Sequence, residues 1–222
     1  MKFLSAENFT VKPLSEIAKC LKNKKDIAPG TVALTFDDGF QNFYERAFPV
    51  LSFYGFPATV FLVADYCGKY NDWQGNPSFL PRARLLSWEE INFQAMNNIE
   101  FGAHTCTHPD LTDISLTAAK QEIIKSKTII EENIGRKVEL FAYPYGKFNL
   151  AIEQIVAENY AAAVSVNLNK ITSKSDLYAL ERIDAYYLSN RKIFTLLNTG
   201  FIDSYLFLRR NLRTLKNKFS AH

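Results

Sequence analysis

Ala58 to Ala64 reads Ala-Thr-Val-Phe-Leu-Val-Ala, a continuous apolar run that is β-branched in part and carries no charge. It shows no polar–apolar alternation, so it reads as a strand buried on both faces. Such strands belong to parallel sheets whose faces are covered by helices, and the rest of the chain has the matching order. Residues 1–30 read as a lead-in, in which Pro13-Leu14-Ser15 opens a modest helix from Glu16 to Leu21. Thr31–Phe36 is expected as the first buried strand. Asn42–Tyr54 has apolar residues at Phe43, Ala47, Val50, Leu51 and Tyr54, a helical spacing that Pro49 should kink or shorten and Gly55 should end.

A long polar loop, Asp65 to Leu86, follows the Ala58–Ala64 strand, and loops of that length commonly cover a site. Its Trp73, and Trp88 just beyond it, are expected to shape a cleft. Ser87 and Glu90 form a capping box that starts a helix over Trp88–Asn97. Ile99–Ala103 is the third strand. Ser115 caps an amphipathic helix over Leu116–Asn133, with Gly135 at its exit. Val138–Ala142 is the fourth strand, Tyr143–Lys147 a turn, and Asn149 caps a helix over Leu150–Asn159. Ala161–Val166 and Leu177–Ile183 are the fifth and sixth strands, and the pattern from Ile193 onward is helical.

That alternation argues an α/β fold with a parallel sheet, closed as a barrel or open and doubly wound. The barrel is favoured. Asp37-Asp38, His104 to His108 and Tyr143 to Gly146 each follow directly on a strand end, and in a barrel those ends face one rim. With 222 residues and 47% hydrophobic content, the whole of 1–222 is expected as a single domain, its core at about 30–185 and a basic helical tail at about 191–222.

Charge and cysteine usage remove several classes. A net charge of +3 without a basic aromatic stripe gives no support to nucleic-acid binding. The excess is uneven: from Arg191 onward seven Lys or Arg face Asp203 alone, leaving the remainder of the chain at −3. Cys20, Cys67 and Cys106 are odd in number and widely spaced, which is not a disulfide framework. Met1 to Thr10 lacks the apolar core and cleavage site of a secretory signal, and no run is long enough to cross a bilayer. A cytoplasmic protein is expected, with peripheral contact at the inner membrane face as a further reading.

Asp37 and Asp38 are neighbouring carboxylates at a strand end, and like charges side by side call for a cation or for separate jobs. Alone, Asp-Asp-Gly is an ordinary turn. His104-Thr105-Cys106-Thr107-His108 changes the balance. On a helical turn His104 and His108 share a face; on an extended segment Cys106 would join them. Imidazoles and a carboxylate suit a zinc-like divalent ion, and three protein ligands form the catalytic type of such a site. One Asp would complete that site and the other would take a proton from water. Tyr143-Pro144-Tyr145-Gly146 is a turn whose backbone N–H groups could face a developing oxyanion.

In this order and separation, Thr35-Phe36-Asp37-Asp38-Gly39, His104-Thr105-Cys106-Thr107-His108 and Tyr143-Pro144-Tyr145-Gly146 resemble the first three motifs of the polysaccharide deacetylases, the NodB-homology domain of carbohydrate esterase family 4. The resemblance covers about residues 30–185. It implies a distorted (β/α) barrel with parallel strands, complete or incomplete, and hydrolytic removal of an N-acetyl group from an amino sugar of a cell-surface polysaccharide or its precursor. It makes Asp37 the catalytic base and Asp38, His104 and His108 the ligands of a divalent metal, zinc first, with cobalt or nickel as alternatives. The Tyr145 N–H would bind the oxyanion, and Tyr143, Pro144 and Gly146 would bind or orient substrate. Thr105 and Thr107 match positions that steady the metal loop.

Two positions depart from the family pattern. An arginine that orients the base is replaced by Ala142, and the histidine that supplies a general acid has no counterpart. His222, at the tail's end, is the only other histidine. Arg182 is the candidate replacement for the arginine, pairing with Asp37, against the alternative of an ion pair with Asp184 or Glu181. Two other functions stay open: hydrolysis of another amide or ester on the same fold, and a sugar-binding relic. The implied partner is an N-acetylated sugar, polymeric or lipid-linked. Tyr205-Leu206-Phe207-Leu208 with the basic residues after it can lie in an anionic membrane interface, or pack on the barrel as a terminal helix.

Overall fold

The computed structural model describes residues 1–77 and 79–219, the last six of them as backbone alone. Six parallel strands stand side by side in chain order: β3 (Thr35–Phe36), β4 (Ala58–Leu62), β5 (Ile99–Ala103), β6 (Leu140–Ala142), β7 (Ala162–Leu168) and β8 (Leu180–Arg182). A doubly wound sheet would reverse its order at a switch point; an unbroken order winds in one direction and curls the sheet about one face. The result is the expected barrel in incomplete form, with β3 and β8 at the two ends of the strand order.

The pleat sorts side chains into two cores. On the convex face, Val60 and Leu62 of β4, Phe101 of β5 and Phe141 of β6 pack against α3 (Phe48–Tyr54), α4 (Trp88–Ala95), α5 (Leu116–Ile134) and α6 (Leu150–Asn159). On the concave face, Phe61, Leu140, Ala142, Val164 and Leu180 enclose a smaller core that α2 (Leu14–Lys22) plugs with Leu14 and Ala18. Every residue of β4 is buried, as its continuous apolar run predicts. Gly102 makes room inside: a Cβ there would sit 2.5 Å from Phe61 and 2.9 Å from the Leu140 carbonyl. The Glu100 carboxylate, also facing inward, accepts from the Thr59 hydroxyl at 2.8 Å and the Ser15 N–H at 3.3 Å, tying the plug helix to the barrel.

Local signals fix most boundaries. Ser87 and Glu90 form the capping box, and Ser115 and Asn149 cap α5 and α6 through their side chains. Three readings are corrected. Thr31–Phe36 is not one strand: β2 (Thr31–Val32) pairs with β1 (Thr10–Val11) in a separate sheet, and β3 joins β4 after a break at Ala33-Leu34. The segment changes partner there, since Lys12 N–H donates to Val32 O whereas Thr59 N–H donates to Leu34 O. The lead-in also holds a short α1 (Lys2–Ala6), and two-residue β1 is too brief to show a period. Asn42–Tyr54 divides into a π-helical turn over Phe43–Ala47 and α3, which places Pro49 in a first turn where its missing N–H costs nothing.

After β8 come α7 (Arg191–Phe194) and α8 (Phe201–Phe219). Ile202 and Leu206 of α8 are buried against Leu168, Ile183, Tyr187 and Leu188, so the start of the basic tail is docked on the barrel. The side chains of Lys216 and Lys218, and all of His222, lie outside the described residues. Among the described residues no helix is long and apolar enough to cross a membrane.

Candidate metal centre

Parallel strands leave their C-terminal ends on one rim, and β3, β5 and β6 deliver the three sequence motifs there. The Asp38 carboxylate lies 3.5 Å from His104 Nε2 and 3.3 Å from His108 Nε2, and the three potential ligand atoms all fall within 4.8 Å of one another. A tetrahedral ion with bonds of about 2.0–2.1 Å needs ligand atoms about 3.3–3.4 Å apart, so the donor set and both of those separations fit a divalent cation. His104 is 2% exposed. Its Nδ1 donates to the Ala142 carbonyl at 2.7 Å, which leaves the Nε2 lone pair for a metal. Burial, with His108 nearby, pushes the His104 imidazole below its usual pKa, so the ring is kept in the neutral form that a metal needs. Cys106 is buried and points elsewhere, its thiol against the Glu122 carbonyl, so the extended-chain alternative does not hold.

The backbone around this centre is strained. Seven described non-glycine residues have left-handed φ, and four of them are here: Asp38 at 68°, Thr105 at 68°, His108 at 59° and Tyr145 at 58°. Each such conformation costs about 1–3 kcal/mol and persists only where its surroundings impose it. The surroundings are specific. The Thr105 hydroxyl donates to His104 O and accepts from the His108 N–H at 3.0 Å. Ala64 and Asp65 donate their N–H groups to the Thr105 and Cys106 carbonyls, each at 3.0 Å. On the other side the Glu122 carboxylate of α5 accepts from the Cys106 and Thr107 N–H groups and the Thr107 hydroxyl. Thr105 and Thr107 thus occupy the loop-steadying places expected of them, and Glu122 is a contributor that motif reading missed.

Asp37 is placed by Arg182. Two guanidinium nitrogens donate to the two carboxylate oxygens at 2.7 and 2.8 Å, and the Arg182 Nε donates to Ser165 O at 2.9 Å. The Arg182 Nη1 also reaches the Thr35 hydroxyl at 3.3 Å, so this side chain of β8 spans the gap to β3. The pair with Asp37, not one with Asp184 or Glu181, is what forms. Burial by itself would raise the Asp37 pKa; the Arg182 charge and hydrogen bonds, helped by His104 and His108, outweigh it and hold the carboxyl below the ordinary range.

The third motif divides. Tyr145 is 44% exposed and its ring stands edge-on to His108, centroids 4.7 Å apart. Gly146, at φ 67°, lies so close to Val166 that a Cβ would come within 2.1 Å. Tyr143 and Pro144 are both buried, and the Tyr143 hydroxyl is spent on Tyr178 O at 2.9 Å while its ring stacks on Phe148. Trp73, from the 65–86 loop, packs its ring 4.5 Å from that of His108 and walls the centre. Trp88 does not; it packs on the convex core.

Residues 24–164 match the polysaccharide deacetylase family, and the chain belongs to it. A poly-β-1,6-N-acetyl-D-glucosamine N-deacetylase of Staphylococcus epidermidis is 27% identical over 187 residues, covering 82% of this chain and 64% of its own length. Its counterpart from Staphylococcus aureus is 27% identical over 177 residues, with 73% and 57% covered. The chain therefore spans about three fifths of these curated relatives. Among solved structures, a Streptococcus pyogenes deacetylase, PplD, in complex with acetate superposes with a TM-score of 0.72 at 26% identity, over 82% of this chain and 76% of that one. IcaB from Ammonifex degensii shares the fold, with a TM-score of 0.72 at 20% identity over 87% and 85%.

Proposed function

We propose that the chain is a metal-dependent N-deacetylase that removes the acetyl group from an N-acetylated amino sugar of a surface polysaccharide or its precursor. The observation that carries this is a three-ligand centre with, one residue along the chain, a carboxylate held deprotonated by an arginine. Zinc is the first ion to expect from two imidazoles and one carboxylate at these separations; cobalt and nickel accept the same donors. Asp38, His104 and His108 would hold it. When bound, such a cation supplies Lewis acidity to an acyl carbonyl and to water. Asp37 accepts the proton from the attacking water, its oxygens aimed by the Arg182 fork. The Tyr145 backbone N–H donates to the oxygen that gains charge as the carbonyl carbon becomes tetrahedral. As the C–N bond breaks, acetate forms and the amine must gain a proton. The two histidines at the rim are spent as ligands, so Asp37 returns the proton it took.

The named activity of the staphylococcal relatives supports a β-1,6-linked N-acetylglucosamine polymer as the first substrate to try, ahead of a lipid-linked precursor. Zinc-loaded protein is expected to release acetate from such oligomers, to fall silent after chelation and to recover on zinc addition. Metal uptake without acetate from any N-acetylated sugar would turn the proposal towards another amide or ester.

A peripheral contact with an anionic membrane is proposed for α8. Its inner face is docked, yet Phe201, Phe207, Leu208 and Leu212 remain about half exposed or more beside Arg210 and Arg213. A helix with apolar and basic surface of this kind lies in an anionic interface. Leu208→Glu together with Leu212→Glu is expected to abolish flotation with phosphatidylglycerol vesicles while sparing acetate release. Undiminished flotation would remove α8 from that role.

A further inference from the structure

Glu122 stands on α5, fourteen residues beyond His108, and touches neither imidazole, yet three hydrogen bonds converge on its carboxylate from the loop between the two histidines. Oε2 accepts from the Cys106 N–H at 2.8 Å and the Thr107 N–H at 2.9 Å, and Oε1 accepts from the Thr107 hydroxyl at 2.9 Å. Thr105 and His108, at either end of that stretch, both hold left-handed φ. Turning the chain so sharply aims two successive N–H groups at α5, where a buried donor left unanswered would be destabilising. An anion facing them is the strongest acceptor available, since hydrogen bonds to a charged group are about twice as strong as neutral ones. The opposite edge of the loop is anchored by the Ala64 and Asp65 N–H groups, so the stretch is gripped between the turn after β4 and a single side chain of α5.

We infer that Glu122 is a positioning residue of the metal centre: by holding the Cys106–Thr107 backbone it sets the spacing of His104 and His108, and with it the metal affinity. The inference rests on Asp38, His104 and His108 being the ligands, and the test separates the two. Zinc affinity is measured by competition against a chromophoric chelator on wild type, Glu122→Gln and Glu122→Ala, with thermal unfolding of each metal-free protein alongside. Support beyond the ligands commonly accounts for about 10–100-fold in affinity. Glu122→Ala is expected to bind zinc about 10–100-fold more weakly. Glu122→Gln, which keeps an acceptor oxygen for both N–H groups and a polar partner for Thr107, is expected to recover most of that loss. If Glu122→Ala does not fold, Thr107→Val, which removes one of the three bonds, is expected to show a smaller loss in the same direction. A purely structural Glu122 would lower the unfolding midpoint and leave the zinc affinity of the folded protein unmoved, and that result overturns the inference. Wild type that takes up no zinc overturns the metal centre itself, and the role of Glu122 with it.

Discussion

Asp37→Asn is expected to lower kcat/KM for acetate release by about 10²–10⁴-fold, the usual contribution of a positioned base, while zinc binds as in wild type. Asparagine keeps the size of the side chain and one oxygen to accept from Arg182, so the rim should stay in place. What disappears is the ability to take a proton. The loss should exceed that of most single-role groups, because in the proposed reaction the same carboxylate also returns the proton to the leaving amine. His104→Ala should behave differently. It removes a ligand that is buried and oriented by the Ala142 carbonyl, so zinc uptake and turnover should vanish together. Zinc titration and kinetics on both variants separate the two roles. An Asp37→Asn protein that turns over at the wild-type rate would take Asp37 out of the chemistry.

The residues proposed to carry this chemistry were legible because they are local. Asp37-Asp38, His104 to His108 and Tyr145-Gly146 each follow a strand with a recognisable apolar pattern, and parallel strands of successive order deliver their ends to one rim. What was not legible depends on contacts between distant segments. Glu122 reads as one more acid on an amphipathic helix. The signal that could have found it is its place beside Ala119, Ile123 and Ser126, three of the four buried positions of α5, where a carboxylate needs a partner. The Ala64 and Asp65 donors are backbone groups and leave no mark in the sequence. Tyr143 is the opposite case. It adjoins the turn, but period-two alternation sets it with Phe141 towards the helices and turns Ala142 inward. The split of Thr31–Phe36 between two sheets is a change of hydrogen-bond partner that no propensity encodes.

Arg182 occupies the point where fold and chemistry meet, so its removal should register in both. It joins β8 to β3 through Asp37 and Thr35, across the open side of the barrel, and it opposes the effect of burial on Asp37. In Arg182→Ala that burial is opposed only by His104 and His108, so the Asp37 pKa should rise from its lowered value. The acidic limb of the kcat/KM profile should move to higher pH accordingly. For the metal-free protein the sign is fixed by the lowered folded pKa. The pair stabilises fully above the unfolded value of about 3.9 and stops contributing as pH falls through the lower value of the folded state. The wild-type advantage over Arg182→Ala should therefore be complete near neutrality, at about 1–3 kcal/mol for a hydrogen-bonded pair with a third of the Asp37 side chain open to solvent, and should shrink below about pH 4. Arg182→Lys keeps the charge and gives up the two-pronged geometry. It should restore most of the acidic limb but little of the rate, since a single ammonium cannot aim both oxygens of Asp37. An acidic limb that stays where it is in Arg182→Ala would mean that another group keeps Asp37 ionised.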